Sequence, residues 1–284
     1  MSLRIFLTGR IDIESRGVAA RTAVRFPGRQ GRRAFAYLIC ERGRPIPREE
    51  LATAIWSDVL PPAWDSALSA LVSKLRRLLS DVDASRNATI AVDGGCYDVR
   101  LPLDAWVDIE AAAAAAEEAE ATLRAGTPRT AWGPAIVAVS ISSHTFLPGE
   151  EGEWLEQRRA RLREILVRGL DSLTDASIAG GDTLGAVQAA LRSVALEPFR
   201  ETGYRRLMQA HAAAGNRAEA LRVYERCRAL LADELGVDPS PDLEALYLHL
   251  LRDGMSEASR VETGIDSLRA SRPTQHRIPD DRPQ

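Results

Sequence analysis

The chain has 284 residues, 45% hydrophobic but only 5% aromatic side chains, and a formal net charge of −3, which leaves room for two domains with separate cores and favours helix over strand. The charge is uneven: residues 1–100 carry 16 basic against 11 acidic side chains and the remainder 21 against 29, as in a nucleic-acid-binding front joined to a protein-facing back. Three widely spaced cysteines, Cys40, Cys96 and Cys227, argue against a disulfide framework or a CxxC metal site; early charges at Arg4, Arg10, Asp12 and Glu14, and no run near ~18 apolar residues, argue against a signal peptide or membrane span.

Residues 3–26 alternate apolar and polar in three short runs, LRIFLTG, RIDIES and TAVRF, punctuated by Gly9, Gly17 and Pro27, and predict a small antiparallel sheet of three strands. From Gly31 the period becomes helical, with Phe35, Leu38 and Ile39 on one face. Pro45 and Pro47 interrupt it, and Arg48 to Trp56 forms a second helix burying Leu51, Ile55 and Trp56. After Pro61 and Pro62, Asp65 or Ser66 can cap a third helix running to about Leu79. At ~100° per residue, Leu68, Leu71, Val72, Leu75, Leu78 and Leu79 share an apolar arc, opposite Ser66, Ala70, Ser73 and Arg77 and flanked by Ser69 and Lys74. Two β-type runs around Asp93-Gly94-Gly95 then predict a hairpin.

Beyond Pro102 a helix is predicted from about Val107 through an alanine run to Leu123, followed by a break at Gly126 and Pro128 and an irregular stretch from Gly133 to Gly152. Long amphipathic helices resume at Trp154. Offsetting the sequence by 34 residues pairs Gly181 with Gly215, Asp182 with Asn216, Ala186 with Ala220, Val187 with Leu221, Ala190 with Tyr224 and Leu196 with Leu230, the spacing of tetratricopeptide helix-turn-helix units. From Ser256 onward the chain is polar without sustained periodicity, the signature of disorder.

The stretches PREELATAIW, ALSALVSKLRRLL, CYDVRL, FLPGEEGEWLEQRRARL and ALEPFRETGYRRLMQAHAAAGNRAEALRVYERCRALLADELGVDPSPDLEALYLHLL resemble the actinobacterial antibiotic-regulator (SARP) type of transcriptional activator. The resemblance spans about residues 3 to 252. It implies an OmpR-like winged-helix DNA-binding domain over 1–101 and a bacterial transcriptional activation domain of tetratricopeptide-like helices over 102–254, with a disordered tail over 255–284. The fold class expected is therefore mainly α with a small β component. The family hairpin usually reads Gly-Tyr where this chain has Cys96-Tyr97. Asp93 occupies its turn and Ser73 stands in the often Arg-rich helix turn, so minor-groove reading by this wing is not expected.

A helix with its apolar arc buried and small basic or hydroxyl side chains outward suits the ~12 Å major groove. Lys74 and Arg77 can donate to guanine or to phosphate, Ser66, Ser69 and Ser73 can bond bases or phosphates, and Ala70 can touch a thymine methyl. Arg76, to one side, is assigned to phosphate, as are Arg32, Arg33 and Arg48. Trp56, Trp64 and Trp106 are assigned to packing. The resemblance implies promoter DNA and RNA polymerase as partners, with a homodimer on DNA and a cytoplasmic location.

No enzyme site, cofactor or metal is expected. His144, His211, His249 and His276 are scattered. GDTLGA at Gly181 lacks the Gly-Lys-Ser/Thr of a phosphate loop and reads as a helix entry, and Glu150, Glu151 and Glu153 read as carboxylates favouring a helix N-terminus. The alternative function is a protein- or ligand-binding module whose winged helix no longer binds DNA.

Overall fold

A computed structural model describes residues 3–15, 25–57, 59–83 and 87–252. Strands β1 (Leu3–Phe6) and β2 (Asp12–Ser15) pair antiparallel, and three helices follow: α1 (Gly28–Cys40), α2 (Arg48–Trp56) and α3 (Trp64–Val82), with a two-residue strand β3 (Ile46–Pro47) before α2. The hairpin of β4 (Thr89–Asp93) and β5 (Cys96–Arg100) pairs with β3 in the order β3-β5-β4, and β6 (Trp106–Val107) returns to lie parallel to β1. Two of the three predicted early strands are present; most of the third, TAVRF, lies outside the described residues, as does the tail beyond 252.

The helical region comprises α4 (Asp108–Arg124), α5 (Trp132–Ser142), α6 (Glu153–Gly180), α7 (Thr183–Leu196), α8 (Glu201–Ala213), α9 (Arg217–Leu235) and α10 (241–252). The mainly helical class with small sheets is as the sequence predicts. The short strands β3 and β6 were not predicted, nor was α5, which occupies half of the stretch expected to be irregular. Gly133 and Pro134 fall in its first turn, where proline costs no backbone hydrogen bond, and WGPAIVAVSIS has no polar face for a period to reveal.

By backbone proximity the chain divides into two units, Met1–Glu197 and Pro198–Gln284. In the first, Ile5, Leu7, Phe35, Leu38, Leu51, Leu68, Leu75 and Tyr97 form one buried cluster, which also takes in Phe146, Leu147, Leu155 and Leu162 from the helical region. The winged-helix segment and α6 therefore share a core. This unit extends past residue 101, where the resemblance places the domain border.

The alanine run of α4 now has a physical role. Ala112 is buried, and Ala115, Ala116 and Ala119 are buried against Ala131, Ala135 and Ala138 of the next segment and Ala176 of α6, so helices pack through methyl groups with little side-chain entropy lost on folding. The 34-residue offset is also built into the backbone. Gly181 and Gly215 close α6 and α8 with φ of +84° and +74°. Their amides reach the carbonyls of Ile178 and Ala212, while those of Asp182 and Asn216 reach Ser177 and His211, the same left-handed helix stop twice. Asp182 caps α7 by accepting from the Gly185 amide at 3.0 Å, so the GDTLGA motif is a helix entry. In the second unit Leu207, Met208, Val223, Cys227, Leu231, Leu243 and Leu250 are buried, and Tyr224 stacks on Tyr247 at 4.1 Å.

A single buried carboxylate reinforces the link between sheet and helices, beside the backbone bonds from the Leu147 amide to the Leu7 carbonyl and from the Gly9 amide to the Thr145 carbonyl. Asp108, 2% exposed, opens α4 directly after β6 and accepts from the amides of Leu7 and Thr8 and the Thr8 hydroxyl, each at 2.8 Å. These donors lie just past the end of β1, where the ladder provides no partner. Asp108→Ala orphans all three and is expected to lower the unfolding free energy by about 3 kcal/mol, against about 1 kcal/mol for Thr8→Val; urea denaturation of the two variants measures both.

Candidate nucleic-acid interface

Helix α3 buries Leu68, Leu71, Val72, Leu75 and Leu79 and turns Ser66, Ser69, Ala70, Ser73, Lys74 and Arg77 to solvent. These six of the ten sequence-predicted site residues share one exposed stripe, as the 3.6-residue period requires. Among the described residues, Lys74 and Arg77 have no ion pair. Ser73 donates its hydroxyl to the Ser69 carbonyl at 2.8 Å, which leaves its oxygen free to accept.

The start of α3 differs from the expected cap. The helix begins at Trp64 with no side-chain cap, and Asp65 lies inside its first turn. The Asp65 carboxylate is taken by Arg48, which opens α2 and donates from Nε to Asp65 Oδ1 at 3.0 Å. The same guanidinium donates to Ser69 Oγ and to the Tyr97 hydroxyl, both at 2.9 Å. It thereby ties α2, α3 and β5 together, a geometry suited to a planar fork with five donors. Burial pushes the Tyr97 phenol above its ordinary pKa, with the Arg48 and Arg76 cations opposing, so Tyr97 remains a neutral acceptor.

Arg76 is also held within the fold: its Nε donates to the Ile90 carbonyl of β4 at 2.6 Å, which fastens the hairpin to α3. Asp93, Gly94 and Gly95 form the hairpin turn and are exposed, so the wing presents a carboxylate at its tip. Trp56 and Trp64 pack on the main core, and Trp106 packs on Phe6 at 5.3 Å with Arg4 4.5 Å above its ring.

Arg32 and Arg33 lie elsewhere, on the side of α1 that meets the loop before α6. Glu150, only 1% exposed, accepts from Arg29 at 2.7 Å and Arg32 at 2.9 Å, and Arg159 donates to its carbonyl at 2.7 Å. Glu150, Glu151 and Glu153 all read from the sequence as carboxylates favouring a helix N-terminus; the turn of the loop sends the first of them inward between two arginines. Arg33 is 9% exposed, and no hydrogen bond reaches its Nε. Trp154 was also missed as a packing residue: its indole N–H donates to the Ala54 carbonyl at 3.1 Å and its ring meets Tyr37 edge-on at 5.1 Å. No group of three or more His, Cys, Asp or Glu side chains that could hold a metal occurs among the described residues.

Comparison with known proteins bears on this arrangement. A family model described as the bacterial transcriptional activator domain matches residues 107–251. The chain is 31% identical over 244 residues to the regulatory protein AfsR of Streptomyces coelicolor, an alignment covering 84% of this chain and 24% of that protein. It is 27% identical over 240 residues to the transcriptional regulatory protein EmbR of Mycobacterium tuberculosis, covering 81% of this chain and 59% of EmbR. The chain thus spans about a quarter of one relative's length and three fifths of the other's. A solved structure of Mycobacterium tuberculosis EmbR in complex with a low-affinity phosphopeptide superposes with a TM-score of 0.78 at 24% identity, over 96% of this chain and 72% of that one, and shares the fold.

The two basic neighbours on α3 differ in role, and thermal unfolding distinguishes them. Arg76→Met removes the bond to the Ile90 carbonyl and is expected to lower Tm by about 2–4 °C, whereas Lys74→Met is expected to leave Tm unchanged. Equal shifts would contradict the assignment.

Proposed function

The chain belongs to the bacterial transcriptional activator domain family, and from that premise we propose that it regulates transcription by binding promoter DNA through α3. The observation that carries this reading is the exposed stripe of Ser66, Ser69, Ala70, Ser73, Lys74 and Arg77 on a helix whose opposite face is buried. Small outer side chains let the helix backbone approach the floor of the major groove, and Lys74 and Arg77 supply the donors for guanine edges or phosphates. Arg48 and Arg76 act as positioning residues that set α3 against α2 and the hairpin. Arg32 and Arg33, turned toward the α6 loop, take no part.

In this reading residues 1–101 are the DNA-binding module. Residues 102–254 are the activation module, which contacts RNA polymerase and pairs the chain into a homodimer on DNA, since a single short helix reads too few bases for high specificity. Exposed Trp132 and Val137 on α5 and Leu184 and Leu191 on α7 support a protein-facing surface there.

Binding to DNA from upstream of the chain's own gene, followed by fluorescence anisotropy across a salt series, tests the reading. Lys74→Ala combined with Arg77→Ala is expected to weaken binding by at least about tenfold and to lower the slope of log K against log salt by about 2. An unchanged slope would overturn the assignment to α3. No salt-sensitive binding by the unaltered chain would favour the second reading, an interaction module, which Asp93 at the wing tip favours.

A further inference from the structure

A cavity of about 630 Å³ lies where the winged-helix segment meets α6, lined on one side by Arg33, Tyr37, Glu50 and Ala54 and on the other by Gly152 and Trp154. Its volume falls in the range of small-molecule sites. Three features of its wall seek negative charge.

Arg33 comes first. It is nine-tenths buried and, among the described residues, makes no hydrogen bond or ion pair, and its Nε has no partner. The Nε–H has lost water without gaining an acceptor, an arrangement native proteins seldom leave unanswered. Burial holds its pKa below the ordinary value; the Glu150 carboxylate opposes that effect and Arg29 adds to it.

The N-terminus of α6 is second. Gly152 precedes the helix and provides no capping side chain, and the Glu153 and Trp154 amides have no acceptor among the described residues. A 28-residue helix directs the positive end of its dipole to this point. The third feature is the contact between the two: a Cβ at Gly152 would stand 2.9 Å from Arg33 Nη2, so the guanidinium lies against the helix start. Gly152 holds φ +149° and ψ 154°, a conformation available essentially to glycine alone. A buried cation against a positive helix end is unfavourable without an anion between them.

The neighbouring carboxylates do not fill that role. Glu150 is engaged by Arg29 and Arg32. Glu50 accepts from Arg44 at 2.5 and 3.0 Å and from the Tyr37 hydroxyl, and Glu153 is exposed. Within a wall that also holds Thr53, Ser57 and Gln157, the Trp154 and Tyr37 rings and Ala54 give an apolar face on which a hydrocarbon or aromatic body can lie.

We propose that this cavity is an effector site for a small organic anion, a carboxylate or phosphate monoester with an apolar body. Its charged group sits between Arg33 and the first amides of α6, and its body lies on Trp154. Because the walls come from α1 and α2 on one side and α6 on the other, an occupant bridges the segment that holds α3 to the helical region.

The test uses the whole chain with benzoate and phenyl phosphate as anionic probes and benzamide as the neutral control, read by thermal shift and tryptophan fluorescence. One or both anions are expected to raise Tm by several degrees and to change the emission saturably. Benzoate acting alone identifies a carboxylate site and phenyl phosphate acting alone a phosphate site. Arg33→Met is expected to weaken the effective anion at least tenfold, Arg33→Lys to weaken it less, and Trp154→Phe to remove the emission change while keeping the thermal shift. Variants are compared only where far-UV circular dichroism matches the unaltered chain, and the lysine variant decides if the methionine variant does not fold. Benzamide as effective as benzoate, an Arg33 variant that binds as the unaltered chain does, or no response to either anion at about 20 mM, weaker than any usual effector affinity, would overturn the proposal.

Discussion

A strand end and a helix start meet at one carboxylate, and the rest of the first unit is organised by that meeting. The backbone of Leu7 and Thr8 leaves the β-ladder with amides that burial makes costly to leave unpaired. Asp108 answers both amides and the Thr8 hydroxyl, and it does so from the first turn of α4. The helical region therefore begins as the third strand of the first sheet and cannot swing freely from it. Phe146, Leu147 and Leu155, which would otherwise belong to a separate helical core, close the core of the winged-helix segment.

Arginine is this chain's preferred cation, with Lys74 its single lysine, and the structure divides its arginines by geometry more than by charge. Where a planar fork can bridge several acceptors, it is drawn into the fold: Arg48 gathers Asp65, Ser69 and Tyr97, and Arg159 gathers the carbonyls of Phe146, Leu147 and Glu150. Such arginines position other groups, and their charge is little available to an external partner. Lys74 and Arg77 remain outside this network, and the exposed face of α3 derives its character from them. The basic excess of the first hundred residues therefore overstates the free positive charge on the surface.

Arg33 is drawn inward with no acceptor for its Nε among the described residues. Its position against Gly152 places a buried charge at the seam between the segment that carries α3 and the 28-residue helix α6. Tyr37 and Trp154 line the same seam, so its apolar and charged features lie within one cavity.

The sequence by itself determined the elements whose signals are local. The leucine arc of α3 and its outward face follow from the helical period, the hairpin turn from Asp93-Gly94-Gly95, and the repeated helix stop from Gly181 and Gly215, because each depends on residues within one or two turns of one another. Helix α5 was lost because its apolar residues lie all round it, the exposed Trp132 and Val137 included, and carry no period to read. The tertiary structure decided what nonlocal pairing decides. Asp65 could have capped its own helix, but Arg48 lies 17 residues away in sequence and within 3.0 Å in space. Glu150 could have been a surface carboxylate like Glu151, but the loop directs it between Arg29 and Arg32, more than a hundred residues earlier. Which arginines face outward is fixed by which acceptors the fold brings near them, and no spacing along the chain encodes that distance.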